Sequence, residues 1–259
     1  MQRIFPLENA LNFREMGGYQ TEDGRKTKWH KLIRCGSLSY LTPAEEKQIL
    51  DYGLKFDIDF RSDDETEIYP DTIKDRVVYH NAKVYPFVNS TFKNLGIVAS
   101  MKLGPLNFME DAYAQMLADP HAQKAYREFF KYLLANDKAG ESLAFHCAAG
   151  KDRTGVGAFL VLNALGVKKQ TIIEDYLLTN LAYSDYSVEQ ANRLLTNTPQ
   201  SELADKLNMQ LAVIPAGIEI MYKTCEALCG SVENYLQTKL NLSTADLKRL
   251  QEIYLEDVN

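Results

Sequence analysis

The sequence has few of the residues that cross-link a chain or break up its secondary structure. Its 259 residues include 4 cysteines, 8 prolines and 14 glycines. So few cysteines exclude a disulfide-dense scaffold, and the low proline and glycine counts exclude a collagenous or low-complexity protein. No internal repeat and no linker rich in proline or serine divides the sequence. A chain of this length can bury a core without cross-links, and we expect one domain over residues 1–259.

A long hydrophobic run is also missing. The longest apolar stretch lies around Val156–Leu162 and contains a glycine, whereas a membrane-spanning helix needs roughly 20 apolar residues. The first residues show neither an apolar run after their charges nor a small-residue cleavage site. We therefore expect no signal peptide and no membrane span, and the sequence favours a cytoplasmic protein with reduced thiols.

Positive charge is not in excess either. The chain carries 29 Lys and Arg against 35 Asp and Glu, a formal net charge of −6. Such a chain does not attract a nucleic-acid backbone, so a general nucleic-acid-binding role is excluded. The histidines and cysteines form no cluster at metal-ligand spacing, so we expect no metal site. Cys225 and Cys229, four residues apart in a helical pattern, are interpreted as packing residues.

The sequence does contain alternating strand and helix patterns. Short β-branched and apolar runs predict buried strands at Leu32–Cys35, Lys55–Phe60, Val77–Asn81 and Ser142–His146. Helical patterns cover Asn107–Leu134 with a break near Asp119-Pro120, Thr154–Leu165, Val188–Leu211 and Ile218–Leu228, and Thr42-Pro43 with Glu45 marks a further helix start. This order predicts an α/β fold with a mostly parallel central sheet flanked by helices and a helix-rich C-terminal portion. Tyr85–Leu106, the least regular segment, is interpreted as a loop near a site.

The most informative segment reads SLAFHCAAGKDRTGVG over residues 142–157. A strand pattern ends at His146, small residues follow, and a helix pattern starts near Thr154. This order places Cys147 at the carboxyl end of a strand, where α/β sheets bind ligands. The amides that open the following helix form a site for an anion. Cys147 is also the one cysteine with an arginine, Arg153, six residues after it.

The residue types in this loop suit attack on a phosphoryl group. A helix N-terminus and a nearby cation lower the pKa of a cysteine, so the nucleophilic thiolate forms more readily. The planar guanidinium of Arg153 can hold two phosphoryl oxygens. Small residues at Ala148, Ala149 and Gly150 let backbone N–H groups approach the same oxygens.

The remaining polar residues of the loop complete a reaction that needs neither metal nor cofactor. Lys151 adds a second cation at the rim, and the Thr154 hydroxyl can stabilise the sulfur when the phosphocysteine breaks down. Asp152 is an acid within reach of the leaving oxygen. The plain structural alternative is a tight turn around a buried cysteine, but three charged residues in the turn have no role in a core.

The sequence HCAAGKDRTG at residues 146–155, hereafter the signature loop, resembles the HCxxGxxR[ST] motif of cysteine-dependent phosphatases. Its Lys-Asp-Arg-Thr form is similar to a bacterial and fungal tyrosine-phosphatase family of the Tyr-phosphatase-3 type. Further segments resemble the same family: NFREMGGY at 12–19, RCGSL at 34–38, DIDFRS at 57–62 with Glu65, and GSVENYL at 230–236. The matches span residues 9–250 and imply a single phosphatase domain with a tyrosine-phosphatase-like fold.

The resemblance implies a role for each matching residue. Cys147 matches the nucleophile, Arg153 the phosphate-binding arginine, and Asp152 an in-loop aspartate proposed as the general acid. Lys151 matches a position linked to acidic or phosphoinositide substrates. Asp59 matches a second family aspartate with a proposed acid role, and it is the alternative acid that we rank after Asp152.

Other features are given structural interpretations. Asp59 has the alternative role of a strand-end carboxylate that orders Arg61 or the signature loop, and His146 that of a neutral residue that shapes the cysteine environment. Gly17-Gly18 predicts a turn. The acidic run at residues 63–67 is interpreted as a solvated helix N-terminus. The Trp-Pro-Asp loop of the better-known tyrosine phosphatases is absent, because the single tryptophan, at position 29, precedes a histidine.

The predicted function is that of a protein-tyrosine phosphatase. Such an enzyme hydrolyses phosphomonoesters through a phosphocysteine intermediate and releases phosphate. Lys151 leaves dual specificity or phosphoinositide activity open. Two alternatives are a pseudophosphatase that binds phosphorylated ligands without turnover, and a rhodanese-like sulfurtransferase, which also carries a loop cysteine at a strand end.

Overall fold

The computed structural model describes residues 2–87, 102–104, 106–184, 188–199 and 213–258. The strands are β1 (Arg14–Glu15), β2 (Lys26–Thr27), β3 (Leu32–Cys35), β4 (Leu54–Asp59), β5 (Val78–Asn81), β6 (Ser142–His146) and β7 (Leu255–Glu256). The helices are α1 (Pro43–Asp51), α2 (Asp63–Ile68), α3 (Phe108–Ala118), α4 (Pro120–Ala135), α5 (Asp152–Ala164), α6 (Lys169–Leu177), α7 (Thr179–Ala182), α8 (Val188–Asn197), α9 (Ala216–Cys229), α10 (Val232–Thr238) and α11 (Thr244–Tyr254).

The central sheet has five strands in the order β1-β3-β6-β4-β5. The pairs β3-β6, β6-β4 and β4-β5 are parallel, and the short edge strand β1 is antiparallel to β3. In this register, His146 at the end of β6 lies beside Cys35 on one side and Asp59 on the other. The carboxyl ends of three strands therefore meet directly before Cys147, at the edge where parallel sheets bind ligands.

The α/β fold class with a mostly parallel sheet is confirmed. The strands at Leu32–Cys35 and Ser142–His146 have the predicted bounds. The strand Leu54–Asp59 is shifted by one residue at both ends from the predicted Lys55–Phe60, and Val78–Asn81 begins one residue after the predicted start. The predicted break near Asp119 is present, because this residue ends α3 and its side chain caps the first turn of α4. The Thr42 capping box is present as well.

Some helix bounds differ from the prediction. Helix α5 begins at Asp152, two residues before the predicted start, so Asp152 and Arg153 belong to its first turn. Helix α8 ends at Asn197, and residues 200–211 of the predicted helix lie outside the described residues. Most of the predicted loop Tyr85–Leu106 also lies outside them.

Apolar residues cover both faces of the sheet. On one face Phe60, Phe129 and Phe145 stack in a buried cluster with α4 and α5, and the closest ring centroids are 4.8 Å apart. On the other face a smaller cluster, which includes Ile33 and Ile49, packs under α1. Burial of each such side chain contributes about 2–3 kcal/mol. The loop after β6 is thus anchored in the most buried layer of the molecule.

Two smaller predictions can also be checked. Gly18 lies in a turn with φ +77°, and a Cβ on Gly17 would lie 2.7 Å from Trp29 Cα, so the chain needs glycine here. Cys225 is fully buried, as expected of a packing residue, and Cys229 is partly exposed. Within the described part of the chain, no helix is both long enough and apolar enough to cross a membrane.

Candidate active site

The signature loop joins the central strand β6 to the buried helix α5 and turns sharply at Gly150. This glycine has φ +65°, and a Cβ at this position would lie 2.5 Å from the carbonyl carbon and oxygen of Cys35. No other residue fits without moving β3. The Gly150 carbonyl accepts from Asn12 Nδ2 at 2.8 Å and from Arg34 Nη2 at 3.0 Å. These two donors hold the carbonyl on the inner side of the turn.

A network of buried charged side chains lies next to this turn. Asp175 of α6 pairs with Arg14 Nε at 3.2 Å and with Arg34 Nη1 at 2.6 Å, and the Tyr19 hydroxyl donates to it at 2.8 Å. Burial alone raises the pKa of Asp175, but the two arginines outweigh it and hold the pKa well below its usual value. Arg14 also donates to the Asn12 side chain. The segments 12–19 and 34–38 thus support the buried side of the signature loop.

The thiol of Cys147 lies at the base of the loop and is 2 % exposed. Burial raises the pKa of this thiol, but the charge of Arg153 and donors from Thr154 and the Gly150 amide outweigh burial and leave the pKa below the ordinary value. The Thr154 hydroxyl is buried, and within the described residues it has no hydrogen-bond partner of ordinary geometry. It is therefore available to the sulfur.

The guanidinium of Arg153 is held in place by Glu65, a residue of the acidic run at 63–67. Its Nη1 and Nη2 donate to the two carboxylate oxygens of Glu65 at 2.6 and 2.8 Å. The Tyr85 ring lies 4.8 Å from the same guanidinium. Glu65 also closes the capping box of α2 with Ser62. The interpretation of the acidic run as solvated holds for the exposed Asp63 and Asp64 but is wrong for Glu65.

Asp152 and Lys151 lie side by side at the rim. The side chains are 29 % and 28 % exposed, and Lys151 Nζ lies 3.8 Å from Asp152 Oδ2. The other oxygen, Oδ1, accepts from the Tyr113 hydroxyl at 2.6 Å. Asp152 is the residue of the signature loop at which α5 begins, directly before Arg153. Its carboxyl group is therefore both accessible and held in place by Tyr113.

Asp59 has different surroundings. It is fully buried, and its carboxylate accepts from Arg61 Nε and Nη2 at 2.7–3.0 Å and from the Arg61 backbone N–H at 2.9 Å. The Tyr79 hydroxyl donates to it at 3.1 Å. This is the geometry of a carboxylate that orders Arg61. The structure does not place Asp59 at the rim beside Asp152.

His146 lies fully buried behind the nucleophile. Its Nε2 is 3.1 Å from Asp57 Oδ1 and 3.2 Å from Asp71 Oδ2, and its Nδ1 is 3.9 Å from Asp59 Oδ1. Burial lowers the pKa of the imidazole, but the three carboxylates outweigh burial and raise the pKa well above its usual value. Its Nδ1 lies 3.2 Å from the carbonyl oxygen of Cys147, so the expected contact with the loop backbone is present. The raised pKa does not fit the neutral form that we expected, and it comes from carboxylates on elements distant in sequence.

The described residues contain one group that could offer ligands to a metal, namely Asp57, Asp71 and His146, whose donor atoms lie within 4.8 Å of one another. Its electrostatics do not suit a cation. Arg61 Nη2 already donates to Asp71 Oδ2 at 2.7 Å, and the imidazolium occupies the centre of the group. These positive charges oppose a metal ion, so the group is an internal ion cluster.

Comparisons with known proteins identify the family. The tyrosine phosphatase family matches residues 5–256. A Cupriavidus necator protein whose name describes it as a tyrosine-protein phosphatase is 26% identical over 243 residues, which cover 93% of this chain and 86% of that protein. The tyrosine-protein phosphatase of Nostoc commune is 31% identical over 150 residues, with 57% of this chain and 48% of that protein covered.

A third relative is the triple specificity protein phosphatase PtpB of Mycobacterium tuberculosis. It is 29% identical over 160 residues, with 57% of this chain and 55% of that protein covered. The chain thus spans about half the length of two of these relatives and most of the first. Since the family match covers nearly all of the described strands and helices, this chain belongs to the tyrosine phosphatase family.

Proposed function

We propose that this phosphatase hydrolyses phosphomonoesters at the signature loop through a phosphocysteine on Cys147. The observation that carries the proposal is the pairing of a thiol of lowered pKa with a guanidinium, that of Arg153, held by two hydrogen bonds. Family membership over residues 5–256 supports the same reaction and one phosphatase domain over residues 1–259. No step in it calls for a metal or a cofactor.

In the first step the Cys147 sulfur attacks phosphorus and the bond to the leaving oxygen breaks. Arg153 binds two phosphoryl oxygens, and the backbone N–H groups of Ala148, Ala149 and Gly150 bind the charge that develops on them. Protonated Asp152 gives its proton to the leaving oxygen. Lys151, beside Asp152, attracts the anionic substrate to the rim.

In the second step water attacks the phosphocysteine. Asp152, now a carboxylate, takes a proton from this water, and the S–P bond breaks to release phosphate and the thiolate of Cys147. The buried Thr154 hydroxyl, one of the donors that lower the pKa of Cys147, stabilises the sulfur as its charge returns. Asp152 is preferred to Asp59 as acid because Asp152 is accessible, whereas Asp59 is fully buried and bonded to Arg61.

We expect phosphotyrosine peptides to be the best substrates, with weaker hydrolysis of phosphoserine peptides and phosphoinositides. Because Lys151 lies at the rim, Lys151→Ala should reduce phosphoinositide hydrolysis roughly tenfold and phosphotyrosine hydrolysis less. Phosphate release from the three substrate classes measures this, with the exposed Lys138→Ala as the matched control. Equal losses on all three substrates would contradict the role of Lys151. Phosphopeptide binding with no hydrolysis would instead support the pseudophosphatase alternative.

Glu65→Gln tests whether the orientation of Arg153 matters. The substitution removes the negative charge of the carboxylate that accepts both hydrogen bonds from the Arg153 guanidinium. Because the guanidinium is then held less firmly, kcat/KM should fall about 10- to 100-fold. The exposed Glu67→Gln, on the same helix, is the matched control and should leave kcat/KM unchanged within about twofold. Steady-state hydrolysis of an aryl phosphate measures both variants. Similar kinetics in the two variants would show that Glu65 has no part in positioning Arg153.

A further inference from the structure

Two tyrosines lie in a chain of hydrogen bonds behind the proposed acid. The Tyr113 hydroxyl donates to Asp152 Oδ1 at 2.6 Å, and the Tyr113 and Tyr176 hydroxyl oxygens are 2.7 Å apart. Both tyrosines are only 2 % exposed. They come from α3 and α6, so three helices meet at the first residue of α5.

The direction of these hydrogen bonds follows from chemistry. Carboxylate oxygens only accept, so the single hydroxyl proton of Tyr113 is used on Asp152. The bond between the two hydroxyls must then be donated by Tyr176 to Tyr113. A tyrosine hydroxyl is protonated at neutral pH, and burial raises the pKa of both tyrosines further, so both keep their protons at the pH of the assay. The donor on Asp152 is therefore permanent.

The tyrosine pair is closely confined. A Cβ on Gly217 of α9 would lie 2.3 Å from the Tyr176 hydroxyl oxygen and 3.2 Å from Tyr113 Cε2. Only a residue without a side chain leaves room for the Tyr176 hydroxyl at this position. The two hydroxyl groups are thus confined between four helices, α3, α5, α6 and α9. An incidental hydrogen bond at the surface is not confined in this way.

We propose that Tyr113, supported by Tyr176, is a positioning residue that occupies Oδ1 of Asp152 and so assigns the transferable proton to Oδ2. This inference rests on the proposed function and names a residue that neither the signature loop nor the family segments contain. A hydroxyl donor on Oδ1 prevents that oxygen from carrying the proton. It also fixes the carboxyl plane at the rim.

The assignment accounts for both steps of the reaction. When the leaving oxygen departs, the Oδ2–H bond of Asp152 breaks, its electron pair stays on the carboxylate, and the proton moves to the leaving oxygen. When water attacks the phosphocysteine, a water O–H bond breaks and its proton returns to Oδ2, while the electron pair of the S–P bond returns to the sulfur. Tyr113 donates to Oδ1 throughout and is neither protonated nor deprotonated.

The test compares two substrates that differ in leaving group. Phenyl phosphate has a poor leaving group that needs a proton, and 4-nitrophenyl phosphate has a good one that needs it less. Tyr113→Phe should lower kcat about tenfold for phenyl phosphate and less than about twofold for 4-nitrophenyl phosphate. Tyr176→Phe should show the same selectivity in weaker form. The matched control is Tyr222→Phe, which removes a half-buried hydroxyl bonded to Asn163 and should change neither rate.

Two measurements separate positioning from a structural role. Alkylation of Cys147 by iodoacetate should proceed at the wild-type rate in Tyr113→Phe, since the loop itself is intact. Combined with Asp152→Asn, Tyr113→Phe should cause no further loss, because its effect acts through that carboxyl group. Equal losses on both aryl phosphates, or slower alkylation, would overturn the inference in favour of a packing role.

The same experiment distinguishes failure of the inference from failure of the proposed function. If Asp152→Asn lowers the rate for phenyl phosphate selectively and neither tyrosine variant does so, only the inference fails. If Asp152→Asn itself shows no leaving-group selectivity, Asp152 is not the acid, and the inference fails together with the acid step of the proposed mechanism. The proposed function as a whole fails only if Cys147→Ser keeps its turnover.

Discussion

Cys147→Ser is expected to reduce the hydrolysis of any phosphomonoester by at least roughly 10⁴-fold. The surroundings of Cys147 lower the pKa of a thiol, through the charge of Arg153 and donors from Thr154 and the Gly150 amide, and so supply a nucleophilic anion. A serine hydroxyl in the same place stays protonated and attacks phosphorus poorly. Single-turnover assays with a phosphotyrosine peptide would measure the loss.

Binding by this variant separates chemistry from folding. Arg153 and the loop amides remain in place, so Cys147→Ser should still bind a phosphotyrosine peptide with an affinity close to the wild-type KM. The partly exposed Cys229→Ser is the matched control and should retain full turnover. If Cys147→Ser kept wild-type turnover, the phosphocysteine intermediate would be ruled out.

Arg153→Ala is expected to lower kcat/KM roughly 10³-fold, which corresponds to about 4 kcal/mol of transition-state stabilisation. The guanidinium supplies two parallel donors to the phosphoryl oxygens, and its loss also leaves the Glu65 carboxylate unpaired beside the incoming dianion. Arg153→Lys keeps the charge but not the planar fork, so it should recover only a small part of the loss.

Two further measurements make the role of Arg153 specific. Because the charge of Arg153 lowers the pKa of Cys147, the alanine variant should form the thiolate only at higher pH. The pH midpoint of alkylation by iodoacetate should therefore move upward. Adding Glu65→Gln to Arg153→Ala should restore some activity, because it removes the unpaired carboxylate. An alanine variant within about threefold of the wild type would show that Arg153 does not bind the phosphoryl group.

The elements that the sequence predicts well are those set by local patterns. The strand Ser142–His146 follows from a short apolar run, and the cap at Thr42 from side-chain to backbone bonds within four residues. The signature loop was recognisable because its chemistry lies within ten consecutive residues. Local patterning and local chemistry therefore specified both the sheet and the nucleophile.

The other contacts of the site join pairs of residues that are distant in sequence. Glu65 and Arg153 are 88 positions apart, and Tyr113 and Asp152 are 39 apart. The resemblance marks Glu65 but gives it no partner, and its position in an acidic run favours solvent over an ion pair with Arg153. The charge of His146 was mispredicted for the same reason, because two of its three carboxylates lie on a neighbouring strand and the third in a distant loop. Such contacts exist only once the sheet is assembled.

The hydrogen bonds from Asn12 and Arg34 to the Gly150 carbonyl have a thermodynamic consequence. Fixing the backbone of a residue costs about 1–2 kcal/mol of conformational free energy. Because these bonds order the Gly150 turn of the signature loop without any ligand, this cost is met once, when the chain folds, and not in each catalytic cycle. More of the binding free energy of the phosphoryl group then appears as affinity, and inorganic phosphate, which makes the same contacts, shares that advantage as a product inhibitor.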